Sequence, residues 1–206
     1  MAFQEVRDAW IYLDRNTQVW KGPIQASQGV FQPIHWVALG RMEAELRLAP
    51  FEGRIVDMGC GQGVITTNLA WKRPRAEVIG IDPNEERLGV GTMLVQEHGL
   101  KNCTFRKGSI EEAGVEPASC TGVFCTEVLD HIPNVREVLK EKVDLLLKLL
   151  RPGGRLVLSV LDDMGTGETG ITVASPLKFD DFGFLPGRRL DRNCPRWWHL
   201  FYSDKR

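Results

Sequence analysis

Residues 55–63 form a short segment in which an apolar run and an acid precede three glycines on alternate positions. The run that begins at Ile55 has the character of a buried parallel strand. Glycines at 59, 61 and 63 let the backbone turn sharply and let a ligand approach closely, because glycine has no Cβ. The residues that follow are typical of a helix start, whose first N–H groups would face the same pocket. The segment therefore predicts a nucleotide-like cofactor at a strand–turn–helix junction.

The glycine spacing and the acid before it indicate which kind of cofactor fits. A dinucleotide-binding turn is Gly-x-Gly-x-x-Gly, whereas here the position of a third dinucleotide glycine is Val64. Asp57 lies two residues before Gly59, where its charge would repel a pyrophosphate but suits a cationic ligand. S-adenosylmethionine carries a sulfonium and an amino group and no phosphate. The alternative is an ordinary glycine-rich turn after a strand.

Composition narrows the class of protein. A chain of 206 residues is expected to fold as a single domain over residues 1–206. Its net charge of −1 gives no global attraction to nucleic acid or to an anionic membrane. No stretch approaches the length of a membrane-spanning helix, and the first ten residues lack the apolar core of a signal peptide. Five scattered cysteines without a Cys-x-x-Cys pair indicate a reduced, cytoplasmic protein without a disulfide frame.

Strand-like and helix-like segments alternate along the middle of the chain. The predicted strands are 54–58, 76–82, 102–107, 122–126 and 155–160. The predicted helices are 63–71, 83–99 and 134–150, and the Pro-Gly-Gly at 152–154 ends the last of them. This alternation predicts an α/β fold with a Rossmann-like, doubly wound and mostly parallel sheet. Ligands of such sheets bind beyond the carboxyl ends of the strands.

The two ends of the chain do not follow this alternation of strands and helices. Residues 1–50 are rich in tryptophan and are expected to form a helical N-terminal cap on a core of residues 51–206. Residues 162–182 are rich in Gly, Asp and Thr and are expected to be a long loop. The strand-like runs 184–190 and 197–202 are expected to close the sheet as an antiparallel hairpin.

Five segments in this order resemble the motifs of the class I S-adenosylmethionine-dependent methyltransferases, and in particular their small-molecule branch. They are 56–63, 80–83, 107–111, 123–132 and 150–156. The resemblance covers residues 50–160 well and the ends poorly. It implies methyl transfer from S-adenosylmethionine to a small-molecule acceptor, largely by proximity and orientation.

The resemblance also implies a set of cofactor-binding residues. Asp82, followed by Pro83, would bind both ribose hydroxyls, since two carboxylate oxygens fit two adjacent hydroxyls. The alternative for Asp82 is a cap on the following helix. Ser109 would accept from the adenine amino group, although the family usually has an acid there, and Ile110 would offer its N–H to a ring nitrogen. The full set is Asp57, Gly59, Gly61, Asp82, Pro83, Ser109, Ile110 and Cys125.

Two positions bear on the chemistry of the reaction. The family often has an acid entering the fourth strand, where this chain has Gly122, so we expect no metal requirement. Cys125 would act through its carbonyl, which would accept from the methionine amino group. His131 follows the fourth strand and is a candidate general base for a hydroxyl acceptor, with His35 and His199 as rivals. The alternative for His131 is a helix-start residue that bonds backbone.

The acceptor pocket is expected between the N-terminal segment and the rim of the sheet. Aromatic residues are usual in such pockets, although core packing is the alternative for each of them. The aromatic and histidine candidates are Trp10, Tyr12, Trp20, His35 and Trp36. An excess of Arg and Lys over residues 188–206 favours an anionic acceptor, although solvated strand edges carry such charges too.

Three other functions compete with small-molecule methylation. An RNA or protein methyltransferase would need a basic patch or a tight partner surface, and the sequence lacks the strong basic patch expected for RNA. A non-catalytic cofactor-binding subunit is kept open by Ser109 and Gly122, which depart from the family pattern. A dehydrogenase is least favoured because of the glycine spacing and Asp57. The sequence does not indicate the methylated atom or the oligomeric state.

Overall fold

The computed structural model describes residues 52–126, 128–132, 135–161, 189–190 and 198–205. Seven strands lie in these ranges: β1 Arg54–Met58, β2 Glu77–Asp82, β3 Cys103–Lys107, β4 Cys120–Thr126, β5 Leu150–Leu161, β6 Arg189–Leu190 and β7 Trp198–Asp204. The helices are α1 Val64–Lys72, α2 Glu85–Glu97 and α3 Arg136–Leu149, with a 3₁₀ turn at Leu129–His131.

The strands form one sheet in the order β3-β2-β1-β4-β5-β7-β6. Strands β1 to β5 are mutually parallel, and β7 runs antiparallel to both β5 and β6. The predicted Rossmann-like, mostly parallel sheet with a C-terminal antiparallel pair is therefore confirmed. The direction of strand addition reverses between β1 and β4, and ligands of doubly wound sheets bind outside the carboxyl ends of the strands at such a point.

Helices cover both faces of the sheet because each contributes an apolar stripe. On one face, α3 buries residues at helical spacing against the strand side chains of that face. These α3 residues are Leu139, Val143, Leu146 and Leu149. On the other face, Leu69 and Ala70 of α1 pack against Ile55, Val78 and Phe124. This double cover leaves the carboxyl edge of the strands as the place where loops meet.

The start of β5 differs from the prediction. The Pro-Gly-Gly turn at 152–154 lies inside the strand and not before it, since Leu150 already pairs with Cys120 of β4. The register then jumps, and the next pairing joins Arg155 to Gly122. Five residues of β5 therefore face two of β4, and the extra residues form a bulge in which Gly153 has φ +75°. Strand β4 likewise begins at Cys120, two residues earlier than predicted.

Several predictions fall wholly or partly on other parts of the chain. The helical cap at 1–50 and the loop at 162–182 lie outside the described residues, and the single-domain organisation over 1–206 stays a prediction. Among the helices in the described ranges, none is long and apolar enough to cross a membrane.

Candidate functional site

The glycine turn between β1 and α1 is held against the end of β2. The N–H groups of Gly59 and Cys60 donate to the Ile81 carbonyl at 2.7 and 3.1 Å. Gly59 has φ +70° and Gly61 has φ +54°, a left-handed conformation that side chains with a Cβ rarely adopt. The backbone bonds thus place the turn directly beside Asp82, the last residue of β2.

Gly59 and Gly61 face different surroundings. A Cβ at Gly59 would collide with the Val128 side chain, so this glycine is needed for packing. A Cβ at Gly61 would meet no atom of the described residues within 4 Å, so within that part of the chain this glycine borders open space. A turn that is tightly packed on one side and open beside Gly61 has the shape of a cradle for a ligand.

Asp82 organises the same edge of the sheet. It is 5% exposed, and its two oxygens each accept one backbone bond: Oδ2 from the Gly61 N–H and Oδ1 from the Asn84 N–H, both at 2.9 Å. A carboxylate has about four acceptor positions, so each oxygen keeps one for a ligand. This arrangement suits a pair of neighbouring hydroxyls, which is what a ribose offers.

The helix cap that the sequence left as an alternative for Asp82 belongs to another residue. The Asn84 side chain accepts from the N–H groups of Glu86 and Arg87 at 3.0 and 3.1 Å and caps α2. Pro83 lies exposed between Asp82 and this cap. The carboxylate of Asp82 is therefore not the N-cap of α2, although its bond to the Asn84 N–H braces the cap.

Asp57 lies in the interior, between β1 and α1. It is 1% exposed, and its Oδ2 accepts a hydrogen bond of 2.6 Å from the Thr66 hydroxyl. Burial raises the pKa of the Asp57 carboxyl to about 7, which the Thr66 bond opposes and the charge of Asp82 reinforces. Nothing in the residue order marks Thr66 as the partner of Asp57, because the contact depends on how α1 docks on the sheet.

The loop after β3 carries the two residues expected at the adenine ring. It is tied to β2 by the Gly108 N–H, which donates to the Asp82 carbonyl at 3.2 Å. The Ile110 side chain is buried in the same core cluster as the apolar residues of α3, so only its backbone is suited to contact a ligand. Ser109 is half-buried, and its Oγ accepts from the Glu112 N–H at 3.3 Å.

An ion pair joins the same loop to α3. Lys142 Nζ contacts Glu111 Oε1. The Lys142 ammonium, and to a smaller extent the Ser109 hydroxyl, lower the pKa of Glu111 to about 2, so Glu111 is ionised at neutral pH. The pair of Glu111 and Lys142 is not predicted from the sequence, since nothing there marks these two charges among many others.

The remaining candidates lie near β4. Cys125 is fully buried and pairs in register with Met58 of β1, so its thiol is in the core and only its main chain is suited to a ligand. His131 is exposed at the end of the 3₁₀ turn, and its N–H donates to the Val128 carbonyl at 3.0 Å. The side chains of His35 and His199 lie outside the described residues. In the described part of the chain, no group of three or more His, Cys, Asp or Glu residues is arranged to hold a metal.

The carboxyl ends of the first four strands bring the predicted cofactor residues to one edge of the sheet. Gly61 and Asp82 are in direct hydrogen-bond contact, and Asp82 is linked through its carbonyl to the loop that carries Ser109. Carboxylate acceptors for hydroxyls, and an open glycine turn beside them, fit a nucleoside ligand with a cationic tail. S-adenosylmethionine has this chemistry, so the residues present fit the expected cofactor.

Known proteins are similar in sequence to the part of the chain that forms this edge of the sheet. A sequence profile of the family described as a methyltransferase domain matches residues 52–175, more than half of the chain. The ubiquinone biosynthesis O-methyltransferase of Aeromonas salmonicida (strain A449) is 32% identical over 137 residues, 66% of this chain and 55% of that protein. The protein of the same name from Dechloromonas aromatica (strain RCB) is 34% identical over 134 residues, 64% of this chain and 55% of that protein. The chain thus spans about half the length of the curated relatives it matches.

Solved structures share the fold at lower identity. A SAM-dependent methyltransferase from Aquifex aeolicus superposes with a TM-score of 0.65 at 16% identity, over 92% of this chain and 97% of that one. The magnesium protoporphyrin IX methyltransferase of Synechocystis PCC 6803 with bound SAH gives a TM-score of 0.61 at 21% identity, over 82% of this chain and 81% of that one. At these identities the likeness concerns the fold alone.

Proposed function

The chain belongs to the methyltransferase domain family, among the class I S-adenosylmethionine-dependent methyltransferases, and we propose that it methylates a small-molecule acceptor. The contact between Asp82 and Gly61 carries this proposal. It joins a buried carboxylate with two spare acceptor positions to a glycine turn that no other described residue fills beside Gly61. One ligand can engage both features only if it combines neighbouring hydroxyls with a group that lies along the turn.

Each part of the site has a proposed role toward the cofactor. Asp82 would accept from both ribose hydroxyls, with Pro83 beside it at the rim. Gly59 and Gly61 would form the floor of the methionine side, and the Cys125 carbonyl would accept from the methionine amino group. Ser109 and Ile110 would meet the adenine ring at its amino group and at a ring nitrogen. The buried Asp57 would act from behind the turn: burial leaves it only partly ionised near pH 7, and the cationic end of the ligand would favour its charged form.

The cofactor supplies the reactive group, a methyl on a positively charged sulfur, and the protein supplies binding and orientation. Displacement at the methyl carbon needs the nucleophile, the carbon and the sulfur in line, so positioning contributes much of the acceleration. The hydrogen bonds from Gly59 and Cys60 to Ile81, and from Gly61 to Asp82, fix the turn in advance. A site fixed in this way loses little conformational entropy when the cofactor binds.

The proposed acceptor atom is a hydroxyl oxygen. The curated relatives are named O-methyltransferases at 32% and 34% identity, although the aligned part is about half of each relative. A hydroxyl must lose its proton during transfer, and exposed His131 beyond β4 is the proposed base.

An anionic acceptor is also proposed, because residues 188–206 carry an excess of Arg and Lys. Lys205 is less available to an anionic acceptor than the Arg residues are, since its Nζ donates to the Leu147 and Leu150 carbonyls at 3.1 and 2.6 Å.

Radiolabelled methyl transfer tests the proposal. The protein is incubated with methyl-labelled S-adenosylmethionine and matched small aromatic acceptors that carry a hydroxyl, an amine or a thiol. We expect label in the hydroxyl compounds, and unchanged transfer in the presence of a chelator, since no metal requirement is proposed. Label found only in RNA or protein would contradict the acceptor class. Tight binding of S-adenosylhomocysteine without any transfer would favour a non-catalytic cofactor-binding subunit.

A further inference from the structure

We propose that Ser159 determines specificity for the methyl acceptor, because its hydroxyl donates a hydrogen bond to an oxygen substituent of the acceptor other than the oxygen that is methylated. Ser159 lies near the carboxyl end of β5 and is completely buried. The inference rests on the proposed function and adds an acceptor-binding residue to it. Ser159 has no assigned contact with the cofactor.

The Ser159 hydroxyl is an exception to the rule that buried polar groups are hydrogen-bonded. Among the described residues, its Oγ is the one buried side-chain oxygen or nitrogen without a hydrogen-bond partner. Other buried hydroxyls are paired: Thr66 donates to Asp57 at 2.6 Å, and Thr121 donates to the Arg54 carbonyl at 2.9 Å. An unpaired buried hydroxyl lowers stability, so its presence requires an explanation, and a bound ligand supplies one.

The position of Ser159 in the sheet favours the acceptor over the cofactor as this ligand. The proposed cofactor residues lie at the carboxyl ends of β3, β2, β1 and β4, which are neighbours in the sheet, and β5 is the next strand. Along this row the adenine end is proposed at β3 and the methionine end at β1 and β4. Adjacent strands are about 4.8 Å apart. The end of β5 therefore lies about 5 Å beyond the methionine end, on the side where an acceptor would meet the methyl group.

A second hydroxyl lies beside Ser159 on the same face of the sheet. Thr126 of β4 pairs in register with Ser159, and Phe124 pairs with Val157 two residues earlier. Phe124 and Val157 pack in one cluster with Leu69 of α1, so by the alternation of side chains Ser159 and Thr126 lie on that face too. Thr126 is half-buried and is not the partner of Ser159 Oγ. The apolar row thus ends in two uncharged hydroxyls.

These surroundings indicate the chemistry of the group that Ser159 binds. A serine hydroxyl has one proton to donate, and an ether, hydroxyl or carbonyl oxygen can accept it. A charged group would be a poor ligand at this point, because burial of a charge without a counter-charge costs far more than burial of a neutral oxygen. A ring with an apolar body and one neutral oxygen substituent matches the apolar row and the hydroxyl at its end.

Methyl transfer to paired phenols tests this role. The 2-, 3- and 4-methoxyphenols each carry one free hydroxyl, and the corresponding ethylphenols have nearly the same shape without the second oxygen. We expect wild type to favour the methoxy compound of at least one pair by about tenfold or more in kcat/KM. Ser159→Ala should bring that ratio close to one through a higher KM for the methoxyphenol. Its dissociation constant for S-adenosylhomocysteine should equal that of wild type.

Thermal unfolding without ligand separates this role from a structural one. Ser159→Ala removes an unpaired buried hydroxyl, so its melting temperature should rise by about 2–4 °C. Thr121→Val is the matched control in the neighbouring strand, since the buried Thr121 hydroxyl is bonded to the Arg54 carbonyl. Its melting temperature should fall, and its preference between the paired phenols should equal that of wild type.

Three results would overturn the inference while the proposed function stands. They are equal use of both members of every pair by wild type, an unchanged preference in Ser159→Ala, and a fall in its melting temperature like that of Thr121→Val, which a hydroxyl bonded to a buried water would give. Transfer to none of the six phenols by wild type that binds S-adenosylhomocysteine would contradict the proposed hydroxyl acceptor itself, and the role of Ser159 with it.

Discussion

The Thr66 hydroxyl of α1 lies 2.6 Å from Oδ2 of Asp57 in β1. Both side chains are buried, Thr66 completely and Asp57 to within 1%. The bond therefore joins the strand that precedes the glycine turn to the helix that follows it, from inside the core. Any ligand seated on the turn rests on a backbone whose two ends are joined at this point.

Replacement of Thr66 by valine preserves the shape of the side chain and removes the donor. Because Asp57 would remain buried with one hydrogen bond fewer, we expect a loss of about 1–3 kcal/mol in the free energy of unfolding, measured with urea. Thr92→Val in α2 is the control, since the exposed Thr92 hydroxyl only donates to the Leu88 carbonyl one turn back, at 2.9 Å. A change below about 0.5 kcal/mol is expected there. Equal effects at the two sites would contradict a special role for Thr66.

The raised pKa of Asp57 predicts a definite dependence of stability on pH. The ordinary pKa of 3.8 rises to about 7 in the folded protein, so between these values the native state binds more protons than the unfolded state. The contribution of Asp57 is thus present below pH 4 and is lost as the pH rises toward 7. Without ligand, wild type should lose more stability than Asp57→Asn between pH 5 and pH 8, by urea unfolding. If the free energy of unfolding changed with pH equally in the two proteins, the raised pKa of Asp57 would be contradicted.

Two glycines of α2 should respond to alanine in opposite directions. A Cβ at Gly91 would lie 2.5 Å from Cζ of Phe105 in β3, whereas a Cβ at Gly89 would meet none of the atoms that the structure describes within 4 Å. Gly89→Ala should stabilise the protein by about 0.5–1 kcal/mol, since alanine is the better helix former. Gly91→Ala should destabilise it by about 1–3 kcal/mol through overpacking. Thermal or urea unfolding measures both, and stabilisation by Gly91→Ala would show that the ring is not held against the helix.

Gly61→Ala separates the cost of backbone strain from the cost of a blocked site. Gly61 and Gly99 have similar φ angles, +54° and +62°, and at neither position does an added Cβ come within 4 Å of another atom in the described ranges. Alanine should therefore cost about 1–2 kcal/mol of stability at both positions. Only Gly61 borders the proposed ligand site. Gly99 lies between α2 and the start of β3, and therefore at the amino ends of the parallel strands. Affinity for S-adenosylhomocysteine should fall at least about tenfold in Gly61→Ala and stay unchanged in Gly99→Ala.

The parts of the fold that could be predicted are those that local signals determine. The bounds of β1, Arg54–Met58, are predicted correctly because a short apolar run and Asp57 lead directly into a glycine turn. The predicted start of β5 is wrong because Pro-Gly-Gly is a strong local turn signal. The pairing of Leu150 with Cys120, which starts the strand earlier, is a contact between residues far apart in the sequence.

The site shows the same division. Gly61 and Asp82 are recognisable from spacing and strand ends, and the structure joins them by a hydrogen bond. The pairing of Asp57 with Thr66 depends on the docking of a helix, and the pairing of Glu111 with Lys142 joins two loop and helix charges that have many possible partners in the sequence. Such contacts follow from tertiary packing and could not be read from residue order.

Calorimetric titration with S-adenosylhomocysteine, on wild type and on Asp82→Asn, tests most directly whether the Gly61–Asp82 edge holds the cofactor. We predict one binding site per chain with a dissociation constant of about 1 μM to 1 mM for wild type. Asp82→Asn removes the charge that strengthens the ribose hydrogen bonds and should weaken binding at least about tenfold. Absence of binding by wild type at millimolar ligand, or wild-type affinity in folded Asp82→Asn, would contradict the assignment.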